Sequence, residues 1–229
     1  ETGWREDGQN GYLWVMSVPG EQGVRIFECH RWRNRHVAKS MLGGEFRGVL
    51  SSDFLGSYNF YPGPHQRCWA HLLRDLHKLK EDAEGQEEVK SWANSVKGLY
   101  EEGQELVRAT SPPGECERRE KYETLVARVD ELGLVYAQSK KHPCQAMAKR
   151  LLRHRDELFQ FVLHEGVSAD NNLAERSLRP LVVARKISGG TRSARGTKTR
   201  MVLASLVNKW IARGQNPLEE CLKLLQKTP

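Results

Sequence analysis

Two carboxylates and a run of cations are the residues in this chain whose types and spacing could do chemistry. Asp53 follows the short segment GVLSS at 48–52, and Glu175 stands inside DNNLAERSLRPLVVARKISGGTRSARGTKTR at 170–200. After Glu175 come Arg176, Arg179, Arg185, Lys186, Arg192, Arg195, Lys198 and Arg200, eight cations with no acid among them. So dense a positive field suits phosphate contact better than small-molecule catalysis, and an acid beside it suits a metal ligand facing a polyanion. The partner implied is nucleic acid. Phosphodiester chemistry is favoured by two metal ions about 3.5–4 Å apart, and hard Mg²⁺ or Mn²⁺ takes carboxylate oxygens. Each acid also has a plainer reading. A strand-end Asp is commonly a turn or cap residue, and Glu175 could serve the positive end of a helix or pair with Arg179 four residues on. The plain reading of the cations is a solvated basic segment, but eight of them without relief repel one another unless an anion neutralises them.

The elements that must position these residues fall into three parts, 1–65, 66–165 and 166–229. YLWVMSV at 12–18 and GVRIFEC at 23–29, separated by PGEQ, predict an antiparallel hairpin. RNRHVAKSMLG at 33–43 has apolar residues at helical spacing and ends on Gly43 and Gly44. Residues 48–52 make a third strand ending at Asp53, the edge where sites form in open α/β sheets. Strand, strand, helix, strand calls for a mixed sheet whose last strand pairs in parallel across a helical crossover. From 66 to 165 the apolar residues recur every three to four positions, broken at SPPGEC (111–116) and KKHPC (140–144), which reads as a helical block inserted after the sheet. Asp170 can cap a helix starting near Asn171 that carries Glu175, and a last helix spans 199–213. Between them, the Gly and Ser of SGGTRSARGTKTR imply a mobile basic loop that could lay N–H groups and guanidinium forks along a phosphate backbone.

The chain's 229 residues suffice for one sizeable domain or a core carrying an insertion, and the formal charge of +7 is informative through its clustering rather than its total. Five cysteines, at 29, 68, 116, 144 and 221, form no CxxC pair, so neither a disulfide scaffold nor a four-cysteine zinc site follows. Cys68 and His71 have the spacing of two metal ligands one helical turn apart. No further ligand stands at a convincing spacing, and the favoured role for the pair is structural, with Cys68 packed in a core and His71 hydrogen-bonded. No run approaches the roughly 18 apolar residues of a membrane span. The N-terminus lacks the basic-then-apolar plan of a secretory signal, so a cytoplasmic protein is expected.

SSDFLGSYN (51–59), QRCWAHLLRDL (66–76) and DNNLAERSLRPLVVARKISGGTRSARGT (170–197) resemble the catalytic domain of bacterial transposases of the insertion sequence 66 family, and ETGWREDGQNGYLWV resembles that family's first strand. The resemblance covers essentially the whole chain, and its third segment is long and particular. It implies an α/β fold of RNase H-like type, a mixed sheet with a large α-helical insertion between the second and third acids of an Asp, Asp, Glu triad. It also implies metal-dependent DNA strand cleavage and transfer with two Mg²⁺ or Mn²⁺ ions. The implied partners are element-end and target DNA and a homo-oligomer that synapses two ends, at the bacterial nucleoid. Residue by residue, the second Asp falls on Asp53 and the Glu on Glu175. The family's first Asp immediately precedes the pair matched by Glu1 and Thr2, and so falls before this chain's first residue. Asp7, in REDGQNG, reads as a turn residue and not as its substitute. The CxxH pair resembles a structural feature of several insertion-bearing transposases. Two other readings remain open: a metal-dependent RNase H-like nuclease that only hydrolyses, and a catalytically inactive DNA-binding fragment whose binding persists when Asp53 or Glu175 is changed to Ala.

Overall fold

The computed structural model describes residues 1–20 and 23–226. In chain order the elements are β1 (Thr2–Glu6), β2 (Gln9–Val18), β3 (Val24–His30), α1 (Arg35–Leu42), β4 (Leu50–Ser52), β5 (His65–Arg67), α2 (Trp69–Asp82), α3 (Glu87–Val107), α4 (Glu115–Ala137), α5 (Gln145–His154), α6 (Gln160–Leu163), α7 (Asn172–Ser188), α8 (Ala194–Ala212) and α9 (Pro217–Gln226). They form two compact units. One combines Glu1–Phe46 with Asn172–Pro229, and the other is the continuous stretch Arg47–Asn171.

In the first unit β1, β2 and β3 form an antiparallel sheet in that order. The expected hairpin is β2–β3, with Leu13 opposite Cys29 and Val15 opposite Phe27; Glu21 and Gln22 of its expected turn lie outside the described residues. A second hairpin joins β1 to β2 through Asp7 (φ 49°) and Gly8 (φ 73°). Both central residues of a type I′ turn need positive φ, which Asp-Gly tolerates, so Asp7 has the turn role read from its neighbours. Trp4, Leu13 and Phe27 from the three strands cluster with Leu178 and Leu181 of α7 and Met201 of α8. α1 is capped by Asn34, whose side chain accepts from His36 N–H and Val37 N–H.

Two expectations are corrected here. β4 pairs in parallel with β5, Leu50 opposite His65 and Ser52 opposite Arg67. The described strands therefore make a three-stranded antiparallel sheet and a two-stranded parallel one instead of a single mixed sheet. β4 has three residues and one large apolar side chain, so its pairing is fixed by polar bonds from β5 to Ser52, described below. The fold is α/β, largely helical, with two small sheets.

Second, α8 begins at Ala194, so the segment read as a mobile loop through Arg200 is a loop only as far as Ser193. Ser193 Oγ accepts the Gly196 N–H at 3.1 Å and caps the helix. The preceding glycines serve a close approach. Gly190 has φ 115°, and a Cβ there would strike the Arg5 carbonyl. Beside it, Thr191 N–H donates to Arg5 O at 2.9 Å and Asp7 N–H to Thr191 O at 2.8 Å, which clasps the loop onto β1.

In the second unit α2–α6 surround a core that includes Trp69, Leu72, Leu99, Leu125, Leu151 and Phe161. The apolar stripe of α3 (Val89, Trp92, Ala93, Val96, Leu99) is buried, as its three-to-four spacing requires. The breaks between α3 and α4 and between α4 and α5 fall at the proline segments. No helix among the described residues is long and apolar enough to cross a membrane.

Candidate active site and nucleic-acid interface

Asp53 is the residue after β4, half-buried at the strand's carboxyl end. Its Oδ1 accepts the Leu55 N–H at 3.0 Å, the local turn bond typical of Asp. Its backbone carbonyl accepts from Arg67 Nη1 at 2.9 Å and from Ser52 Oγ at 2.8 Å. Arg67, at the end of the parallel neighbour β5, is fully buried. Its Nε donates to Glu157 Oε2 at 2.5 Å and its Nη2 to Asn59 Oδ1 at 2.6 Å. Glu157 Oε2 also lies 2.8 Å from His154 Nδ1, and Ser52 Oγ 2.7 Å from His65 Nε2.

The electrostatics of this cluster follow from burial and pairing. Burial, with the Arg67 charge added, pulls the His65 pKa down to about 4, so the ring is neutral near pH 7. With its proton on Nε2, His65 donates to Ser52, whose own hydroxyl proton is then free for the Asp53 carbonyl. Burial alone would raise the Glu157 carboxyl, but the hydrogen bonds from His154 and Arg67, with the Arg67 charge, outweigh it and hold the pKa down at about 2. β5 is fastened in turn by Gln66. Its Nε2 donates to Leu158 O at 2.9 Å and its Oε1 accepts from Phe161 N–H at 2.9 Å. No residue spacing marks Arg67, Glu157, His154, His65 or Asn59 as members of a site.

Cys68 and His71 flank the same edge. Cys68 is buried, its Sγ accepting the Asn171 N–H at 3.4 Å, and burial raises its thiol pKa. His71 is half-buried in the first turn of α2.

In the other unit Glu175 is half-buried in the first turn of α7, an acid at the positive end of a helix. The eight cations divide by role. Arg185 donates to the Gly3 carbonyl, and Arg200 lies over the Trp4 ring at 6.0 Å, so both brace β1. Arg176, Arg179, Lys186, Arg192, Arg195 and Lys198 are exposed, and none makes an ion pair or side-chain hydrogen bond among the described residues. The suggested pair of Glu175 with Arg179 is therefore not made. Between α7 and α8 runs an open groove of about 760 Å³, floored by Leu181, Ala184, Leu203 and Val207, with Arg195 and Arg200 on its wall.

A hard divalent cation takes carboxylate oxygens, and each unit carries one such candidate donor. Asp53 offers a carboxylate whose Oδ2 makes no hydrogen bond among the described residues, and Glu175 offers a second carboxylate. Among the described residues no group of three or more His, Cys, Asp or Glu side chains is arranged to hold a metal.

The Transposase IS66 family pattern matches residues 1–199. The chain belongs to this family. Two relatives in Sinorhizobium fredii strain NGR234, both bearing the name uncharacterized protein, are similar to it. One, y4jO, is 28% identical over 193 residues, covering 81% of this chain and 56% of the relative. The other, y4qI, is 30% identical over 202 residues, covering 80% of this chain and 36% of the relative. This IS66 family member thus spans about half the length of the first and about a third of the second. No solved structure matches it.

Proposed function

We propose that this chain is the catalytic domain of a transposase that cuts DNA at the ends of a bacterial insertion sequence and joins the freed 3′ ends to target DNA. The observation that carries the reading is the placement of Asp53 at the carboxyl end of a parallel strand, with its carbonyl held by Arg67 and Ser52, its Oδ1 bonded to Leu55 N–H, and its Oδ2 without a hydrogen bond among the described residues. In an RNase H-like arrangement, with 47–171 containing the insertion, Asp53 and Glu175 are the residues of this chain that hold Mg²⁺ or Mn²⁺. When bound, such a pair of ions activates the attacking oxygen and stabilises the leaving one.

The chain's own residues supply the rest. Arg176, Arg179 and Lys186 on α7, with Arg192, Arg195 and Lys198 around the start of α8, hold the phosphate backbone. Their guanidinium and ammonium groups are exposed and make no ion pair among the described residues, so DNA binding releases counterions instead of breaking ion pairs. These contacts orient the duplex and read little sequence. The protein partners are further copies of the chain that bring two element ends together.

The test is a cleavage and strand-transfer assay on element-end DNA with the transposase as the element encodes it, comparing wild type with Asp53→Asn and Glu175→Gln. Loss of both steps with DNA binding retained is expected. Retained 3′-end joining in either variant refutes the assignment of that acid. Salt-sensitive binding with no cleavage in the wild type as well favours the non-catalytic DNA-binding reading, which the same exposed cations support. Cleavage without joining favours a nuclease.

A further inference from the structure

We propose that the buried Arg67–Glu157 pair, with Asn59, is a positioning device for Asp53, an inference that rests on the reading of Asp53 as a metal-holding acid. A guanidinium with no solvent exposure is a costly way to fill space, since a buried ion pair is often no more stabilising than apolar residues of the same volume. What distinguishes this one is where its bonds go. Three of the four run to the single segment Ser52–Asn59. They reach Ser52 Oγ at 3.4 Å, Asp53 O at 2.9 Å and Asn59 Oδ1 at 2.6 Å. The fourth goes to Glu157, which lies 90 residues further along the chain and is itself gripped by His154.

The segment so held is short and irregular, with no helix or long strand to fix it. β4 ends at Ser52, Asp53 Oδ1 turns back to Leu55 N–H, and one 3₁₀ turn, Gly56–Tyr58, leads to Asn59. Left to local bonds alone, the backbone of Asp53 could rotate. The rigid fork of Arg67 fastens the segment at its start and its end, and a planar guanidinium can do this where an ammonium cannot. The Asp53 carbonyl is fixed, Oδ1 is committed to Leu55, and Oδ2 is the atom left in a defined place. Arg67, Glu157 and Asn59 are positioning residues. They touch no reacting group and act through the backbone of Asp53, much as outer partners orient the ligands of a metal site.

The experiment measures Mn²⁺ affinity of the full chain without DNA, by the free-ion electron paramagnetic resonance signal, beside thermal unfolding. The variants are Asp53→Ala, Arg67→Lys and Asn59→Ala. Arg67→Lys keeps a charge for Glu157 but loses the fork. Asn59→Ala removes one anchor from an exposed residue and remains informative if the Arg67 variant does not fold. Asp53→Ala is expected to abolish the Mn²⁺ site. Arg67→Lys is expected to weaken binding by about tenfold or more and Asn59→Ala by less, on the scale of outer-partner losses, with the unfolding transition of Asn59→Ala unchanged. If Asp53→Ala weakens Mn²⁺ binding and both other variants bind like wild type, Arg67 is merely structural and the proposal is overturned. If Asp53→Ala itself binds Mn²⁺ like wild type, the reading of Asp53 fails and the positioning role falls with it. The Asp53→Ala arm tells the two failures apart.

Discussion

Charge is turned inward in one unit of this protein and outward in the other. In 47–171 several charged side chains join elements of the fold. Arg67 meets Glu157, Arg150 meets Asp75 at 2.5 Å, Glu102 of α3 takes both Lys121 and Arg128 of α4, and buried Arg118 donates to Val162 O at 3.0 Å. In the other unit six cations of α7, α8 and the loop between them are exposed, with no ion pair or side-chain hydrogen bond among the described residues. The formal charge of +7 hides this division. Inward charges are part of the fold and fail when one partner is lost, whereas outward charges are free to serve a ligand and can be removed without structural penalty.

That contrast can be broken most sharply at Glu157. Glu157→Leu leaves the Arg67 guanidinium buried without its counter-charge, and chemical denaturation should show a loss of about 3 kcal/mol. Adding Arg67→Met to the same protein should recover part of it. Next in size is Gly190→Ala, which places a side chain at φ 115° against the Arg5 carbonyl and should cost about 2 kcal/mol by the same measurement. A pH series tests the inward network without mutation. The His65 pKa falls from 6.5 to about 4 on folding, so the unfolded chain binds a proton first and stability declines as pH drops from 6.5 towards 4. Between pH 7 and 5.5 the decline should be about 1 kcal/mol, and His65→Asn should flatten it. Ser193→Ala removes the cap of α8 at about 1 kcal/mol. Smallest for the fold is the triple variant Lys186→Ala, Arg195→Ala, Lys198→Ala. It should unfold within about 0.5 kcal/mol of wild type, while the slope of log binding constant against log salt for DNA falls by about three.

The helices of 66–165 were legible because each must bury a stripe, and a stripe leaves a period; Val89, Trp92, Val96 and Leu99 are an example. The β2–β3 hairpin was legible because two runs of aromatic and β-branched residues flank the turn signal PGEQ. β5 left no trace, because His65, Gln66 and Arg67 are polar residues in a three-residue strand, buried only through partners supplied from elsewhere in the chain. The start of α8 is not legible, since Gly and Ser mark both loops and caps, and only the bond from Gly196 N–H to Ser193 Oγ decides between them. For the candidate site, Asp53 and Glu175 could be singled out by type and setting, while the network behind Asp53 could not. Its central pair, Arg67 and Glu157, lies 90 residues apart and obeys no local pattern.

The order in which the chain is made also matters to this architecture. Every core residue of 47–171 lies on one continuous stretch, so that unit can assemble as soon as it leaves the ribosome. The other unit cannot: Trp4 waits for Thr191, whose Oγ1 accepts its indole N–H at 3.1 Å, and Phe27 waits for Ser205. During synthesis the β1–β3 sheet must pass a long interval with one apolar face uncovered, until the last residues of α8 arrive. A chain stopped near residue 190 should therefore contain a folded helical unit and an aggregation-prone N-terminal sheet, and chaperone demand should be concentrated in that interval.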